Sequence, residues 1–160
     1  MDVVDEHVPD DQFVQFVSSF PQVSVELVVE HRGRILLTRR TQEPAKDEWF
    51  WPGSRLYKGE RFEDAVARVA REELGVSVDR CCQLGTYAHF WETDVFDAVE
   101  SKHTVNVVYH VSLDDPAELD LDYQHDELRF VDPASPGADL HPHVETYLRD
   151  LVETHPRLAE

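Results

Sequence analysis

The sequence predicts a single domain of the α/β (α+β) class, in which a mixed β-sheet is sandwiched between helices. Three observations lead to this prediction. The chain has 160 residues, a length that suits one domain over residues 1–160 with its core at about 20–155, and 41% of them are apolar. Apolar residues follow first the period of paired strands, then of a helix, then of strands again, and finally of a terminal helix. Elements in this order pack as a sheet covered by helices.

The first part of the chain predicts a short helix and a hairpin. Apolar residues recur at helical spacing over residues 11–19, so we expect an amphipathic N-terminal helix that ends before Pro21. Apolar and polar residues then alternate over residues 23–30, which predicts a strand with one buried face. Residues 35–37 form the returning strand, and residues 40–58 are expected to be irregular.

The second part predicts a central helix, three strands and a closing helix. The central helix spans residues 62–74 and ends at Gly75, where a left-handed cap is favoured. The strands are expected at residues 85–91, 104–113 and 128–131. A C-terminal amphipathic helix has the apolar residues Val144, Tyr147, Leu148, Leu151 and Val152.

The charge balance excludes one class of partner. The chain carries 33 acidic and 15 basic residues, which gives a net charge of -18. Nucleic acid is therefore not an expected partner, because phosphate binding requires a basic face. Self-repulsion of this size is screened at about 1 M salt, where the Debye length is ~3 Å. The composition favours a protein from a salt-loving organism over one whose acidity only provides solubility.

Two features predict a cytoplasmic protein without a membrane anchor. No run of residues approaches the ~18 consecutive apolar residues that a transmembrane helix needs. The first eleven residues contain five acids and no Lys or Arg, the opposite of the basic start of a signal peptide.

The two cysteines are adjacent in sequence. Cys81 and Cys82 do not have the spacing of a redox or chelating motif. We expect both to be buried structural thiols.

The central helix carries the residues that indicate chemistry. Val66, Val69 and Glu73 lie on one stripe, so the row that faces the core ends in a carboxylate. Burial of an unpaired carboxylate costs several kcal/mol, and Glu73 should therefore have a cation or hydrogen-bond donors beside it. With the adjacent Glu72, it forms an acid pair that a Mg²⁺ ion would explain. The alternative is a solvated pair in which Arg68 makes a surface salt bridge to Glu72.

The residues around this helix resemble a known motif. The Nudix box reads G-x5-E-x7-R-E-U-x-E-E-x-G-U, where U is aliphatic. The residues that match it at the correct spacing are Glu60, Arg68, Glu72, Glu73, Gly75 and Val76. Two positions depart from it, because Ser54 replaces the first Gly and Val69 replaces the Glu after the Arg. The resemblance implies the Nudix fold and a hydrolase that acts on a nucleotide derivative with Mg²⁺ as cofactor, or with Mn²⁺ instead.

With Val69 in place of this Glu, the sequence resembles one branch of the family, the GDP-mannose mannosyl hydrolases. These also lack the second Glu, and they cleave at sugar carbon C1 and not at phosphorus. The segments that resemble this branch are residues 21–26, 40–41, 44–45, 49–50, 52–53, 89–90 and 124–126. The resemblance implies a nucleotide-sugar substrate and a homodimer, for which the Phe-rich N-terminal helix would supply an interface.

The resemblance also implies a role for each matching residue at the metal and box positions. Glu73, Gln124 and the Gly53 carbonyl would hold Mg²⁺ against the diphosphate, with Glu72 as an additional acid. Arg68, together with Glu60, would orient the acids of the helix.

The remaining matching residues would contact the substrate or take part in the reaction. Arg40 and Arg55 would bind and stabilise the departing GDP, while Glu26 and Thr104 would contact the substrate. His125 would be the general base, a role that suits the pKa of histidine, and His89 would be a further catalytic histidine.

Three functions agree with the sequence. The first is a Mg²⁺-dependent GDP-mannose mannosyl hydrolase that releases GDP and an inverted sugar. The second is a conventional Nudix pyrophosphohydrolase of ADP-ribose, a nucleoside triphosphate or a sugar nucleotide, which the Glu72 and Glu73 pair favours. The third is a sugar-nucleotide-binding module without catalysis, which Ser54 and Val69 favour.

Overall fold

A computed structural model describes residues 1–5, 7–78, 80–137 and 139–155 of the protein. Within these residues the helices are α1 (Asp10–Ser19), α2 (Phe62–Leu74) and α3 (Pro142–Thr154), with a 3₁₀ turn at Pro116–Glu118. The strands are β1 (Gln22–His31), β2 (Arg34–Arg40), β3 (Trp49–Phe50), β4 (Gly53–Arg55), β5 (Cys81–Trp91), β6 (Lys102–Ser112) and β7 (His125–Val131).

The strands form one mixed sheet, as predicted. Its main order is β3-β2-β1-β6-β5, while β4 pairs with β1 and β7 pairs with β2. The β1 and β6 strands are parallel, and the other pairs are antiparallel. The two central strands therefore run side by side in the same direction and bring Glu26 opposite Val108.

The sheet separates two apolar cores. On one face, α2 packs Val66, Val69 and Leu74 against Val25 and Leu27 of β1. On the other face, α3 packs against the sheet through a second buried set that includes Val28, Ile35, Trp51, Val108, Tyr147 and Leu151. The sheet is thus sandwiched between helices, as expected from the order of the elements.

The central helix agrees closely with the sequence. It spans Phe62–Leu74, and Gly75 has φ 69° in the left-handed region. The Gly75 N–H donates to the Arg71 carbonyl and the Val76 N–H to the Ala70 carbonyl. Val69 is fully buried and Glu73 is 2% exposed, whereas Phe62, at the start of the same stripe, is 38% exposed.

Three local expectations are wrong. The region 40–58 contains the short strands β3 and β4, which at two and three residues show no periodicity in sequence. The β1 strand is buried on both faces, because it lies in the centre of the sheet between α2 and α3. Cys81 and Cys82 are exposed, because β5 is at the edge of the main sheet order.

No helix among the described residues is long and apolar enough to cross a membrane. At the N-terminus, α1 buries Val17 and leaves the rings of Phe16 (44% exposed) and Phe20 (63% exposed) stacked on each other at 6.1 Å.

Candidate active site

A cavity of about 390 Å³ opens where β1, β4 and β6 meet the segments around residues 40–44 and 123–124. Six of the residues predicted for substrate or metal line it: Glu26, Arg40, Gly53, Arg55, Thr104 and Gln124. The fold therefore gathers residues that are up to 98 positions apart in sequence into one cleft.

Glu73 is held beside this cavity by two donors. The Gly53 N–H donates to its Oε2 at 2.9 Å, and Nε2 of His125 donates to the same oxygen at 3.1 Å. These are the donors that the sequence required for a buried carboxylate on this helix. The close approach needs a glycine at position 53, because a Cβ atom there would lie 2.7 Å from Cγ of Glu26.

The other oxygen of Glu73 has no partner. Its Oε1 is buried and makes no hydrogen bond, and the same is true of Oε2 of Glu26. Burial raises the pKa of Glu73, the bonds from His125 and Gly53 oppose this shift, and the charge of Asp122 adds to it. Two incompletely paired buried acids beside one cavity are a donor set that fits a hard divalent cation such as Mg²⁺.

Glu26 has a pKa near neutrality. It is 8% exposed, and burial raises its pKa from 4.5 to about 7, although the Tyr147 hydroxyl and the charge of Arg40 act in the opposite direction. The charge of Glu73 adds to the increase. A carboxyl group of this kind can gain or lose a proton at working pH.

The second acid of the helix has a different environment. The Glu72 side chain is 49% exposed, and Arg68 donates to it at 3.3 Å, four residues earlier on the helix. Arg71 lies 3.9 Å from it. Its contacts are those of the solvated acid that the sequence offered as an alternative to a metal ligand.

Arg68 and Glu60 form the most completely bonded ion pair of the site. Arg68 donates to both carboxylate oxygens of Glu60, at 2.7 and 3.0 Å, and to the Arg55 carbonyl at 2.9 Å. Its guanidinium also lies over the Tyr57 ring, 3.9 Å from the centroid. These bonds fix the β4 segment to α2 and so fix Arg55 and Gly53 relative to Glu73.

The two arginines predicted to bind substrate line the cavity from two different strands, Arg40 from β2 and Arg55 from β4. Nε of Arg40 donates to the Pro44 carbonyl at 2.8 Å, which leaves its terminal nitrogens for another acceptor. The Arg55 guanidinium lies 4.6 Å from the centroid of the Tyr57 ring. Two positioned guanidinium groups suit an anionic group with several oxygens, such as a diphosphate.

Gln124 and His125 approach the site where the pairing of β7 with β2 becomes irregular. The register shifts between Arg39 and Arg40, so that Arg40 pairs with His125. The amide nitrogen of Gln124 donates to Asp122 at 2.9 Å, which orients the amide oxygen away from that acid. The His125 side chain is 1% exposed, and its Nδ1 makes no hydrogen bond.

His89 is not among the residues that line the cavity. It is 1% exposed, its Nε2 lies 2.9 Å from the Tyr147 hydroxyl, and its ring stacks on His143 at 3.6 Å. Burial and the neighbouring histidines His143 and His141 lower its pKa to about 3. The rings of Phe50 and Trp91, which do line the cavity, contact it.

Several cavity residues were not found from the sequence. Two of them are Asn106 and Trp91, which line the cavity beside the predicted residue Thr104. Asn106 donates to the Thr104 hydroxyl at 3.1 Å, and the Trp91 indole donates to it at 3.4 Å. Lys102 lines it too, paired at 2.7 Å with Asp94, whose side chain is completely buried. Asn106, a polar residue between two valines of β6, was the available signal for this group.

The box helix, its buried arginine and the surrounding strands match known proteins. A family model described as NUDIX domain matches residues 20–151. The chain belongs to the Nudix hydrolase family. A MutT Nudix hydrolase from Burkholderia pseudomallei has the same fold, with a TM-score of 0.70 and 26% identity, over 83% of this chain and 99% of that one.

Two curated relatives differ in how much of the chain they match. The low-salt glycan biosynthesis protein Agl8 of Haloferax volcanii is 45% identical over 144 residues, which are 90% of each protein. The ADP-ribose pyrophosphatase of Methanocaldococcus jannaschii is 35% identical over 68 residues, which are 42% of this chain and 40% of that protein.

Proposed function

We propose that this Nudix hydrolase cleaves a nucleoside diphosphate sugar in the cavity at Glu73, most specifically GDP-mannose, and releases GDP and the free sugar. Water would attack sugar C1 and invert that centre. The name of the Haloferax relative, a glycan biosynthesis protein, supports a substrate that contains an activated sugar. The same relative supports a salt-loving source for the acidic chain. We propose further that the chain is one cytoplasmic domain and that it forms a homodimer.

The observation that carries the proposal is the burial of Val69. This residue stands where the Nudix box has a Glu, and it is fully buried in the core against β1. Glu73 is therefore the one carboxylate on the inner face of the helix; it does not line the cavity itself but is bonded to the N–H of Gly53, which does. A helix without the second acid has no carboxylate at that position to activate a water molecule against phosphorus, which favours attack at carbon.

The residues present fit a divalent ion at Glu73. Its unpaired Oε1, the amide oxygen of Gln124 and the Gly53 carbonyl would hold the ion, and Glu72 would contribute negative charge nearby. When bound, the ion would neutralise charge on the diphosphate as it leaves.

The arginines and a base would complete the reaction. Arg40 and Arg55 would bind the diphosphate oxygens and stabilise their increasing charge as the bond between C1 and oxygen breaks. Glu26 and Thr104 would bind the sugar side of the substrate. Water would form the new bond to C1 and give its proton to the base, while GDP leaves as the anion.

We propose His125 as that base, with His89 as a supporting histidine behind the cavity wall. In this role, Nε2 of His125 must exchange its bond to Glu73 for the attacking water. Glu26, whose pKa is raised by burial to about 7, is a second group that could accept this proton.

A second function is favoured by a different observation. Glu72 and Glu73 are both retained, and the 35% identical relative is named as an ADP-ribose pyrophosphatase. Attack at phosphorus would then give GMP and a sugar phosphate from the same substrate. A module that binds a sugar nucleotide without cleaving it is the third candidate, supported by Val69 together with Ser54.

Hydrolysis in ¹⁸O-labelled water separates these functions. The reaction is run in molar KCl with Mg²⁺ and a panel of GDP-sugars and ADP-ribose, and the products are analysed by mass spectrometry. We expect the label in the free sugar and none in GDP. Label in GMP or in a sugar phosphate would replace attack at carbon with attack at phosphorus. Binding without turnover across the panel would support the binding module.

A further inference from the structure

We propose a second metal site, for a transition-metal ion such as Zn²⁺, formed by Cys82, His110 and His155. It lies four residues along β6 from Asn106, about 13 Å from the strand positions that line the cavity. One ligand atom of each of the three side chains lies within 4.8 Å of those of the other two.

The sheet and one helix end create this cluster. Cys82 on β5 and His110 on β6 are directly paired across the two antiparallel strands, so their side chains lie on the same face. His110 also pairs with Val28, which belongs to the core under α3. His155 follows the last turn of α3 and its ring lies 4.8 Å from that of His110.

The distances suit a tetrahedral ion. Cys82 Sγ and His110 Nδ1 are 3.9 Å apart. A Zn²⁺ ion with ordinary bonds to sulfur and nitrogen would hold them at about 3.6 Å. The remaining separations are at most 4.8 Å, and they involve the exposed side chain of Cys82 and the half-buried side chain of His155.

A half-buried carboxylate orients the central ligand. Nε2 of His110 donates to Oε2 of Glu30 at 2.9 Å, so its other nitrogen, Nδ1, is the one that faces Cys82. Metal-binding histidines characteristically donate their second N–H to a carboxylate in this way. The other oxygen of Glu30 accepts the Gly33 N–H at 3.2 Å, which holds the carboxylate in place.

The ligand chemistry separates this site from the cavity. Thiolate and imidazole groups select ions such as Zn²⁺ or Co²⁺, whereas carboxylate, carbonyl and amide oxygens select Mg²⁺. Binding would release the thiol proton of Cys82 to solvent. Three protein ligands leave the fourth tetrahedral position for a water molecule or an external ligand.

Cys81 provides a matched control. It is exposed like Cys82, but successive side chains of a strand point to opposite faces. Cys81 pairs with Val111, which belongs to the core under α2, so its thiol lies on the α2 side of the sheet. The Cys81→Ser variant therefore removes an exposed thiol and leaves the proposed site intact.

The test is titration of the full chain with Co²⁺ in molar KCl, with millimolar Mg²⁺ present to saturate the oxygen-donor site. We expect one equivalent of Co²⁺ to give the visible bands of a tetrahedral ion and a thiolate charge-transfer band in the near ultraviolet, which Zn²⁺ then removes. Wild type and Cys81→Ser should behave alike, while Cys82→Ser should lose the charge-transfer band.

A second variant keeps the test decisive if Cys82→Ser does not fold. Glu30→Gln retains an acceptor for Gly33 and should weaken Co²⁺ binding by about 10- to 100-fold, the usual effect of losing the carboxylate behind a histidine ligand. Hydrolysis with Mg²⁺ should be unchanged in Cys82→Ser. Absence of the charge-transfer band in folded wild type, or equal bands in wild type and Cys82→Ser, would overturn the proposal.

Discussion

Glu60 precedes helix α2 by two residues and Glu73 lies in its last turn, and their side chains are only 4% and 3% exposed. Burial alone would raise the pKa of Glu60, but hydrogen bonds from Arg68 and the Tyr57 N–H outweigh it and lower the pKa. At Glu73 burial prevails, the pKa is raised and one oxygen stays unpaired. We therefore propose a structural role for Glu60, and for Glu73 the binding of a cation at its unpaired oxygen.

The largest expected effect concerns the histidine that holds Glu73. Loss of a positioned general base costs about 10²- to 10⁴-fold in rate, so His125→Gln should lower kcat by that factor. Affinity for GDP in the presence of Mg²⁺ should change little, because the arginines and Glu73 remain. Steady-state kinetics and GDP titration check this. Loss of GDP affinity in parallel with kcat would show that His125 acts only by positioning Glu73.

The two carboxylates should respond oppositely to the same substitution. Glu60→Gln leaves the buried Arg68 with only the exposed Glu72 as a charged partner and should lower the free energy of unfolding by about 3 kcal/mol. Glu73→Gln removes a buried charge that is incompletely compensated, and without divalent ions it should be as stable as wild type or more stable. Urea unfolding in molar KCl measures both. Equal destabilisation by the two variants would remove the distinction.

A smaller effect extends the comparison to a buried base. The pKa of His89 falls from 6.5 to about 3 on folding, so the unfolded chain binds a proton below pH 6.5 that the folded chain does not. The stability that neutral His89 provides is complete above pH 6.5 and decreases as the pH falls. Between pH 6.5 and 5.0 the decrease is about 2 kcal/mol.

The His89→Gln variant isolates this contribution. It retains a polar group near the Tyr147 hydroxyl and removes the titration. The difference in unfolding free energy between wild type and variant should shrink by about 2 kcal/mol from pH 6.5 to 5.0. A difference that does not depend on pH would mean that His89 is charged or solvated in the folded protein.

The sequence identified the helix and its acid because both depend on local patterns. The spacing of Val66, Val69 and Glu73 determines which side chains reach the core, and Gly75 determines where the helix stops. The donors beside Glu73 could be anticipated as a requirement but not named from physics alone. Gly53 and His125 reach it only through strand pairing between distant segments.

The burial of a strand depends on its position in the sheet, which local sequence patterns do not predict. The β1 strand looks one-sided in sequence, yet parallel pairing with β6 places it in the centre, under both helices. Cys81 and Cys82 look apolar enough for a core, but their strand is at the edge. Asn106 could not be assigned to the cavity from the sequence either. Its place there depends on the pairing of β5 with β6, which brings Trp91 and Asn106 to the same acceptor, the Thr104 hydroxyl.

The most direct test of the account is titration with GDP, with and without Mg²⁺, of wild type, Glu73→Gln and the neighbouring variant Glu72→Gln in molar KCl. If Glu73 holds the ion that binds the diphosphate, Mg²⁺ should strengthen GDP binding to wild type, and Glu73→Gln should weaken the Mg²⁺-dependent binding by at least about 100-fold. Glu72→Gln, which changes an exposed ion pair, should stay within about fivefold of wild type. Mg²⁺-dependent GDP binding that survives intact in Glu73→Gln would contradict the account.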